Sequence, residues 1–207
     1  MYIPKSFHEQ DESQLLALIG EYGFATLVTS ENNVPFATHL PLLADRDAEG
    51  RLLLKGHVAR ANPQWRAFAQ EGDVLAVFAG PHAYVSPSVY RQPGVPTWNY
   101  AVVHAYGRPS IVEEPAKVLS SLRQLASKYE AGRDRPWSPD DAEALVNQLL
   151  SGIVAFEITV TRLEGKFKLS QNRDAQDYDA VMRFVELSNP RGGEGLVEMM
   201  ASRNPKG

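Results

Sequence analysis

The sequence predicts an α+β protein that is mainly β, built as an antiparallel barrel with peripheral helices. Candidate strands dominate the first half of the chain, at short spacing and without long helices between them. This spacing favours an antiparallel barrel over a parallel sheet. Neither a GxGxxG fingerprint nor a P-loop is present, so the common glycine-rich nucleotide folds are not indicated. The longer amphipathic patterns lie before and after this β-rich block.

A first amphipathic helix is predicted from about Glu12 to Tyr22. Leucine and isoleucine side chains supply its apolar face, and Gly23 follows as a terminator. Turn residues then divide a β-forming block, with a turn at Glu31–Asn33 and a polar loop at Asp45–Gly50. The elements predicted in this block are strands at Phe24–Ser30, Pro35–Ala44, Arg51–Ala59 and Asp73–Ala79, and a short helix at Asn62–Gln70.

The second half of the chain mixes one long strand with helices. Pro81–Pro96 is rich in Pro, Tyr and Ser and predicts a structured loop around a short strand at Tyr84–Ser86. Thr97–Val112 is long and largely β-forming, and Ser138 followed by Pro139 predicts a capped helix start. The remaining predicted elements are helices at about Ala116–Ala131, Asp140–Leu150 and Ala175–Leu187, and a barrel-closing hairpin of Ile153–Leu163 and Lys166–Ser170 about Glu164–Gly165.

Length and composition are those of a globular protein. The chain has 207 residues, of which 43% are hydrophobic and 22% are charged, and this is enough to bury a core. We expect a single domain over residues 1–190, with a helical insertion at about 114–152, followed by a loose C-terminal tail at 191–207.

Charge and cysteine content exclude several classes of function. The formal net charge of −4 argues against a surface coated with positive charge for nucleic acid. The absence of cysteine excludes disulfides, thiolate metal sites, iron–sulfur clusters and cysteine nucleophiles. The start lacks the apolar run of a signal peptide, and no segment approaches the roughly 20 apolar residues of a membrane span. We therefore expect a cytoplasmic protein with no membrane association.

The segment GHVARANPQW, Gly56–Trp65, predicts a strand that turns directly into a helix start. Asn62 is a preferred N-cap residue, and Pro63 suits the first helical position. Arg60 adds a cation two residues before the cap, and the first helical turn offers free N–H groups. This combination suits an anion, typically a phosphate. The alternative is a strand-to-helix corner with a surface arginine.

Histidines on the predicted hairpin raise the question of a metal site. If Pro35–Ala44 pairs with Arg51–Ala59, His39 falls opposite Gly56 or His57, and one register would place both histidines on the same face. A zinc ion would need a third ligand, for which His104 is the strand candidate. No HxH, HxxxH or HExxH spacing is present. We therefore expect no metal, and interpret these residues as lining a ligand groove or bonding backbone groups.

Two further segments combine aromatic, amide and cationic residues. In VPTWNYAVVHAYG, alternation places Trp98, Tyr100 and Val102 on one face of a strand and Asn99 on the other. An aromatic face beside an amide suits a planar heterocycle, and the alternative is an aromatic cluster in the barrel core. The segment KFKLSQNR, residues 166–173, places Lys168 and Gln171 just after a strand, where loops commonly carry binding residues. The alternative interpretation is an exposed polar turn without a function.

Taken together, five motifs resemble the PaiB-type family, the FMN-binding negative transcriptional regulators. The motifs occur in order as HLPLL (His39–Leu43), GHVARANPQW, AYVSPSVY (Ala83–Tyr90), VPTWNYAVVHAYG and KLSQNR (Lys168–Arg173). The resemblance extends from MYIPKSF to about Leu187. It implies an FMN-binding split β-barrel related to pyridoxamine-phosphate oxidases, with peripheral helices. It also implies a homodimer with flavin sites at the subunit interface.

The resemblance also implies which residues contact the flavin. The strand at Thr38–Leu40 is expected beside the isoalloxazine ring. Gly56 is expected to leave space for the ligand, and the residues expected to face the phosphate are His57, Arg60 and Asn62. Trp98 and Asn99 are expected near the ring or the ribityl chain, from either subunit, while Lys168 and Gln171 complete the site. The complete set is Thr38, His39, Leu40, Gly56, His57, Arg60, Asn62, Trp98, Asn99, Lys168 and Gln171. No catalytic residue is identified.

Three other functions remain open from the sequence. A flavin-dependent oxidoreductase would share the fold and the site, because the flavin itself performs the redox chemistry. A haem-binding or haem-degrading split barrel would use His39, His57 or His104 as an iron ligand. Direct DNA binding is disfavoured by the negative net charge and by the lack of a recognisable recognition helix.

Overall fold

Eight strands, along which buried and exposed side chains largely alternate, form the framework of the protein. The computed structural model describes residues 1–69, 72–188 and 194–203. The strands of this described part are β1 (His8–Glu9), β2 (Phe24–Glu31), β3 (Val34–Pro41), β4 (Leu43–Arg46), β5 (Leu52–Ala59), β6 (Val74–Val85), β7 (Thr97–Val112) and β8 (Ile153–Lys168). They form one sheet in the order β3-β2-β6-β7-β8-β5-β4, and β1 pairs separately with β8. The pairs β1–β8, β2–β3, β2–β6, β4–β5 and β5–β8 are antiparallel.

Helices precede, interrupt and follow the strands. The α-helices are α1 (Glu12–Glu21), α2 (Pro115–Glu130), α3 (Glu143–Leu149), α4 (Ala175–Ser188) and α5 (Glu194–Ala201), and 3₁₀ turns occur at Lys5–Phe7, Pro63–Ala69, Pro87–Val89, Pro139–Ala142 and Leu150–Gly152. Local caps explain several starts: Asp11 accepts a hydrogen bond from the Ser13 N–H, and Ser138 forms the expected capping box with Asp141. Among the described helices, none has the length and apolar character needed to cross a bilayer.

Contacts along the chain divide it into two compact units. The first unit comprises residues 1–22, 78–104 and 163–207, and the second comprises residues 23–77 and 105–162. Fully buried Ile19, Tyr178 and Val181 lie in the core of the first unit. The core of the second unit includes Leu27 and Leu54, which are also fully buried.

Several predicted elements are confirmed. β7 has the predicted bounds, α1 ends with Tyr22 as its C-cap, and α4 begins at the predicted Ala175. Between β7 and β8 the chain forms α2 and α3. The predicted helix at Asn62–Gln70 is a 3₁₀ turn over Pro63–Ala69, and Gln70 lies outside the described residues.

The predicted pairing of His39 with Gly56 or His57 is wrong, because the predicted strand Pro35–Ala44 is broken at Leu42. The Leu42 N–H donates to the Gly23 carbonyl at 2.9 Å, and its side chain is fully buried. The break separates β3 from β4, so that β3 pairs with β2 and His39 lies opposite Thr26. Of the two strands on either side of the break, it is the short β4 that pairs with β5, whose other edge pairs with β8.

The predicted turn at Glu164–Gly165 is also wrong, as is the beginning of the predicted loop Pro81–Pro96, where strand β6 continues to Val85. β8 runs unbroken through Gly165, which pairs with Glu9 of β1. A Cβ at Gly165 would collide with Leu15, so this glycine permits close packing rather than a turn. Likewise β6 continues through Gly80 to Val85, and a Cβ at Gly80 would lie 3.0 Å from the Ala101 carbonyl oxygen.

The predicted loose tail differs from the structure over the residues of α5. Leu196 and Met200 of this helix are fully buried, so its apolar face packs into the first unit. The tail residues 191–193 and 204–207 lie outside the described part of the chain.

Candidate functional site

The corner between β5 and the 3₁₀ turn is tied to β3 through Asn62. The Asn62 Oδ1 accepts the Gln64 N–H at 3.0 Å, which caps the turn, and Nδ2 donates to Thr38 Oγ1 at 2.9 Å. Asn62 is half-buried and Thr38 is half-buried beside it. The structure therefore brings together two of the predicted site residues, the amide of Asn62 and the hydroxyl of Thr38.

Arg60 is held at this corner by backbone carbonyls. Its Nε donates to the Ser151 oxygen at 2.7 Å, and its Nη2 donates to the Ile153 oxygen at 2.9 Å. Because these acceptors are neutral, they orient the guanidinium without neutralising its positive charge. Among the described residues, no carboxylate forms an ion pair with Arg60. Arg60 also lines a groove of about 560 Å³, whose walls include Trp65, Ile111 and Leu150 together with the acidic Glu113.

The predicted flavin strand divides its side chains between two faces. Leu40 belongs to the core, with 4% of its surface exposed, so only its backbone is available to a ligand. His39 is exposed on the other face, where its Nδ1 lies 3.0 Å from Thr26 Oγ1 and its ring stacks on Phe24 with centroids 6.4 Å apart. The alternation therefore separates His39 from Thr38 and Leu40.

Gly56 and His57 have packing roles in the structure. A Cβ at Gly56 would lie 2.6 Å from Leu42 Cδ2 and 3.2 Å from Phe156 Cζ, so side chains fill the space on this side. His57 lines a cavity of about 10 Å³ under α2, together with Leu122 and Leu125 of that helix. Burial lowers the pKa of His57, which favours a neutral imidazole.

Trp98 belongs to an exposed aromatic cluster in the first unit. Its side chain is 53% exposed, with the Tyr84 ring edge-on at 5.9 Å and the His82 ring at 6.2 Å. Trp98 is therefore not part of the barrel core, and its ring is available for stacking.

Asn99 lies on the opposite face and is completely buried. Its Oδ1 accepts the Ser170 hydroxyl at 3.0 Å, and its Nδ2 contacts Met200 Sδ at 3.7 Å. Its amide therefore positions the segment that follows β8, and the structure does not bring it together with the Trp98 ring. The left-handed backbone of Ser170, with φ 64°, lies in this segment.

Lys168 joins the end of β8 to the start of β7, whereas Gln171 closes a local turn. The Lys168 ammonium donates to Thr97 Oγ1 at 2.6 Å and to the Trp98 carbonyl at 2.7 Å. Burial, followed by the charges of Lys166 and Arg173, lowers the pKa of Lys168. Gln171 Nε2 donates to the Phe167 oxygen at 2.6 Å, and its Oε1 accepts the Leu169 N–H.

Gln64, which no sequence motif singles out, anchors the corner. Gln64 is only 3% exposed, and its Nε2 donates to the Leu27 oxygen at 3.0 Å and to the Phe36 oxygen at 3.3 Å. It therefore fixes the 3₁₀ turn to the β2–β3 hairpin. The only sequence signal is its place two residues after the capping Asn62.

The predicted residues thus form two sets, one in each unit. Thr38, Arg60 and Asn62 belong to the second unit, and Trp98, Lys168 and Gln171 belong to the first. Within the described residues, no three histidine or acidic side chains are arranged to hold a metal ion.

Sequence comparison identifies relatives that extend over the whole chain. A family described as "Putative FMN-binding domain" matches residues 1–162. The "Protease synthase and sporulation protein PAI 2" of Bacillus subtilis is 38% identical over 208 residues, covering 100% of this chain and 99% of that protein. An uncharacterized protein of Emericella nidulans is 30% identical over 244 residues, covering 98% of this chain and 97% of its own length.

Solved structures confirm the predicted split-barrel fold class. Flavocytochrome Anf3 from Azotobacter vinelandii superposes with a TM-score of 0.60 at 17% identity, over 86% of this chain and 78% of that one. The FAD and heme binding protein from Mycobacterium smegmatis superposes with a TM-score of 0.57 at 18% identity, over 78% of this chain and 73% of that one. At these identities the similarity concerns the fold alone.

Proposed function

The chain belongs to the FMN-binding domain family, and from that premise we propose that it is a PaiB-type flavin-binding regulator that assembles as a homodimer. The main support for FMN binding at this position is the corner around Arg60, where a guanidinium held by backbone carbonyls and not ion-paired with a described carboxylate lies beside a capped turn. A phosphate is the part of FMN that such a cation attracts.

The donor set at this corner fits the chemistry of FMN. The flavin carries a phosphate, a ribityl chain with hydroxyl groups and a planar ring. Arg60 offers charge to the phosphate, while the Asn62 amide and the Thr38 hydroxyl offer donors and acceptors to the phosphate or to ribityl hydroxyls.

The chain's own residues bind and orient the ligand in this proposal. Asn62 keeps the turn capped, and the carbonyls of Ser151 and Ile153 hold the Arg60 guanidinium in one orientation. Gln64 holds the same turn against β2 and β3. When bound, FMN supplies one- and two-electron redox chemistry, so no protein acid or base is assigned.

Exposed apolar residues of the β2–β3 hairpin support the proposed homodimer. Phe24 is 68% exposed, Val34 is 65% exposed and Phe36 is 41% exposed. Val34 and Phe36 lie on one face of the hairpin and Phe24 on the other, and exposed apolar side chains of this size are typical of surfaces that a partner covers.

Flavin titration tests the function and the role of Arg60 together. FMN and riboflavin are each titrated into the protein while flavin fluorescence is followed. We expect Arg60→Ala to weaken FMN about tenfold or more, the effect of losing roughly 1.4 kcal/mol of charge-assisted bonding. Riboflavin, which lacks the phosphate, should bind the variant and the unaltered protein alike.

Arg108→Ala is the matched control, because Arg108 is exposed in the same unit and lies 3.9 Å from Asp73. This control should leave FMN binding unchanged. Absence of saturable FMN binding would overturn the proposed function, and an equal loss of FMN and riboflavin would overturn the phosphate role of Arg60. Turnover of a reduced nicotinamide cofactor by the FMN-loaded protein would identify an oxidoreductase instead.

A further inference from the structure

A groove of about 490 Å³ lies in the second unit, between the second half of α2 and the chain that returns from it. The residues of α2 that line it are Arg123, Ala126, Ser127 and Glu130. Their spacing of three and four places them on one face of the helix. Trp137 lines the groove from the returning chain. The volume is in the range of small-molecule binding sites.

Two polar bridges join α2 to the returning chain along this groove. Arg123 donates to the Asp140 carboxylate at 2.6 Å from Nη2 and at 3.0 Å from Nε. One turn before the end of α2 the second bridge begins, where the Glu130 Oε2 accepts the Trp137 N–H at 3.2 Å. Arg123 and Glu130 are seven residues apart, which is about 10 Å along a helix axis. The bridges therefore bound a stretch of the groove long enough for a small ring system.

Small side chains leave the space between the bridges open. On the lining face of α2, only Ala126 and Ser127 lie between Arg123 and Glu130. Ser127 is exposed, and its hydroxyl forms no hydrogen bond with another described residue. This hydroxyl can therefore donate to a ligand and accept from it.

The charges that line the groove are already paired within the protein. Arg123 forms an ion pair with Asp140, and the Glu130 Oε1 lies 3.2 Å from the Arg133 Nε. An ionic ligand would lose hydration without gaining an unpaired counter-charge. The charge balance therefore favours an uncharged ligand.

Trp137 presents an aromatic surface on a backbone that is fixed on both sides. Its own N–H is bonded to Glu130, and the next N–H, that of Ser138, donates to the Asp141 Oδ2 at 2.7 Å. The Trp137 side chain is nevertheless 48% exposed, and within the described part of the chain no aromatic ring stacks on it. An exposed indole held in this way is suited to stack with a planar ring.

We propose that this groove binds an uncharged, planar heteroaromatic compound of one or two fused rings, which stacks on Trp137 and forms a hydrogen bond with Ser127. The stretch between the two bridges limits the size of the ring system, and the paired charges exclude an ionic ligand in favour of a neutral one. None of the residues assigned to FMN lines this groove. The site is therefore independent of the proposed flavin function.

Benzimidazole is the test ligand, because it is planar, uncharged at neutral pH and carries one hydrogen-bond donor and one acceptor. Calorimetric titration into the flavin-free full-length protein should show saturable binding. A carboxylate derivative of benzimidazole should bind at least about tenfold more weakly.

Two substitutions in the groove should each weaken benzimidazole binding at least about tenfold. Trp137→Leu removes the stacking surface. Ala126→Leu puts a larger side chain into the space between the bridges, at a helix position where leucine is well tolerated. Circular dichroism checks that each variant is folded.

Tyr129→Leu and Ala116→Leu are the matched controls, and both should bind benzimidazole as the unaltered protein does. Tyr129 is a 45% exposed aromatic residue of α2, and Ala116 is an exposed alanine of the same helix, but neither lines the groove. Absence of saturable binding, or unchanged affinity in both groove variants, would overturn the proposal. The same holds for an equal loss in groove and control variants.

Saturation with FMN separates this site from the flavin site. The FMN-loaded protein should bind benzimidazole as strongly as the flavin-free protein, and competition between the two would overturn the proposal. Affinity that falls as the protein concentration rises would show instead that a second copy of the chain covers the groove, and would also overturn it. If FMN fails to bind but benzimidazole binds, the proposed function fails while this inference stands.

Discussion

His57 illustrates how a residue from a binding motif acquires a different environment in the fold. Alternation along β5 directs it towards α2, where Leu122 and Leu125 line the same small cavity. Burial is the cause of its lowered pKa. In the unfolded chain the same imidazole has an ordinary pKa near 6.5, so the unfolded state binds more protons in the interval below that value.

The free energy of unfolding should therefore decrease as the pH is lowered, because the unfolded chain protonates His57 more readily than the folded protein does. The contribution is complete above about pH 6.5 and is lost as the pH decreases towards the lowered folded value, with a slope of at most about 1.4 kcal/mol per pH unit. His57→Gln should flatten this part of the profile, measured as the free energy of unfolding in urea between about pH 5.5 and 7.5. His8→Gln, at an exposed position, should leave the slope unchanged, and an unchanged slope in His57→Gln would contradict the argument.

At the scale of elements, strand β5 is packed closely against the break between β3 and β4. Leu42 turns inward at that break and fills the position where a side chain on Gly56 would project. The glycine is thus required by packing between neighbouring strands, although the sequence suggests that it leaves room for a ligand.

Gly56→Ala should lower the free energy of unfolding by about 1–3 kcal/mol, the usual cost of overpacking a core. Adding Leu42→Ala should give a double variant less destabilised than the sum of the two single changes, because the smaller side chain makes room for the new methyl group. Urea denaturation measures all three variants. A stable Gly56→Ala protein that loses FMN binding would show instead that this glycine leaves space for the ligand.

The sequence predicts elements best where the determining contacts are local. β7 and the Ser138 capping box follow from neighbouring residues, and both are confirmed. The break at Leu42 and the unbroken strand through Gly165 depend on contacts with Gly23 and Leu15, distant in sequence. Alternation places Asn99 opposite Trp98, but its partner Met200 lies on a helix within the predicted loose tail. The residues next to Asn99 in the sequence therefore could not predict its contact with Met200.

For the whole molecule, the exposed apolar residues of the β2–β3 hairpin and the family membership lead to a prediction about assembly. Light scattering after size-exclusion chromatography should give the mass of a dimer. Phe24→Asp should shift it towards the monomer, because a carboxylate in an apolar interface is desolvated without a partner. Leu145→Asp is the control, since Leu145 is 55% exposed on α3 and its change should leave the mass unaltered. A monomeric unaltered protein would contradict the homodimer.

The division of the chain into two units has a consequence for folding during synthesis. All segments of the second unit precede residue 163, whereas the first unit joins both ends of the chain. Ribosomes release the N-terminal part first, so α1 emerges long before α4 and α5, the helices that complete its unit. The second unit can therefore acquire its full set of strands on the ribosome, while residues 1–22 wait for the last part of the polypeptide to be translated.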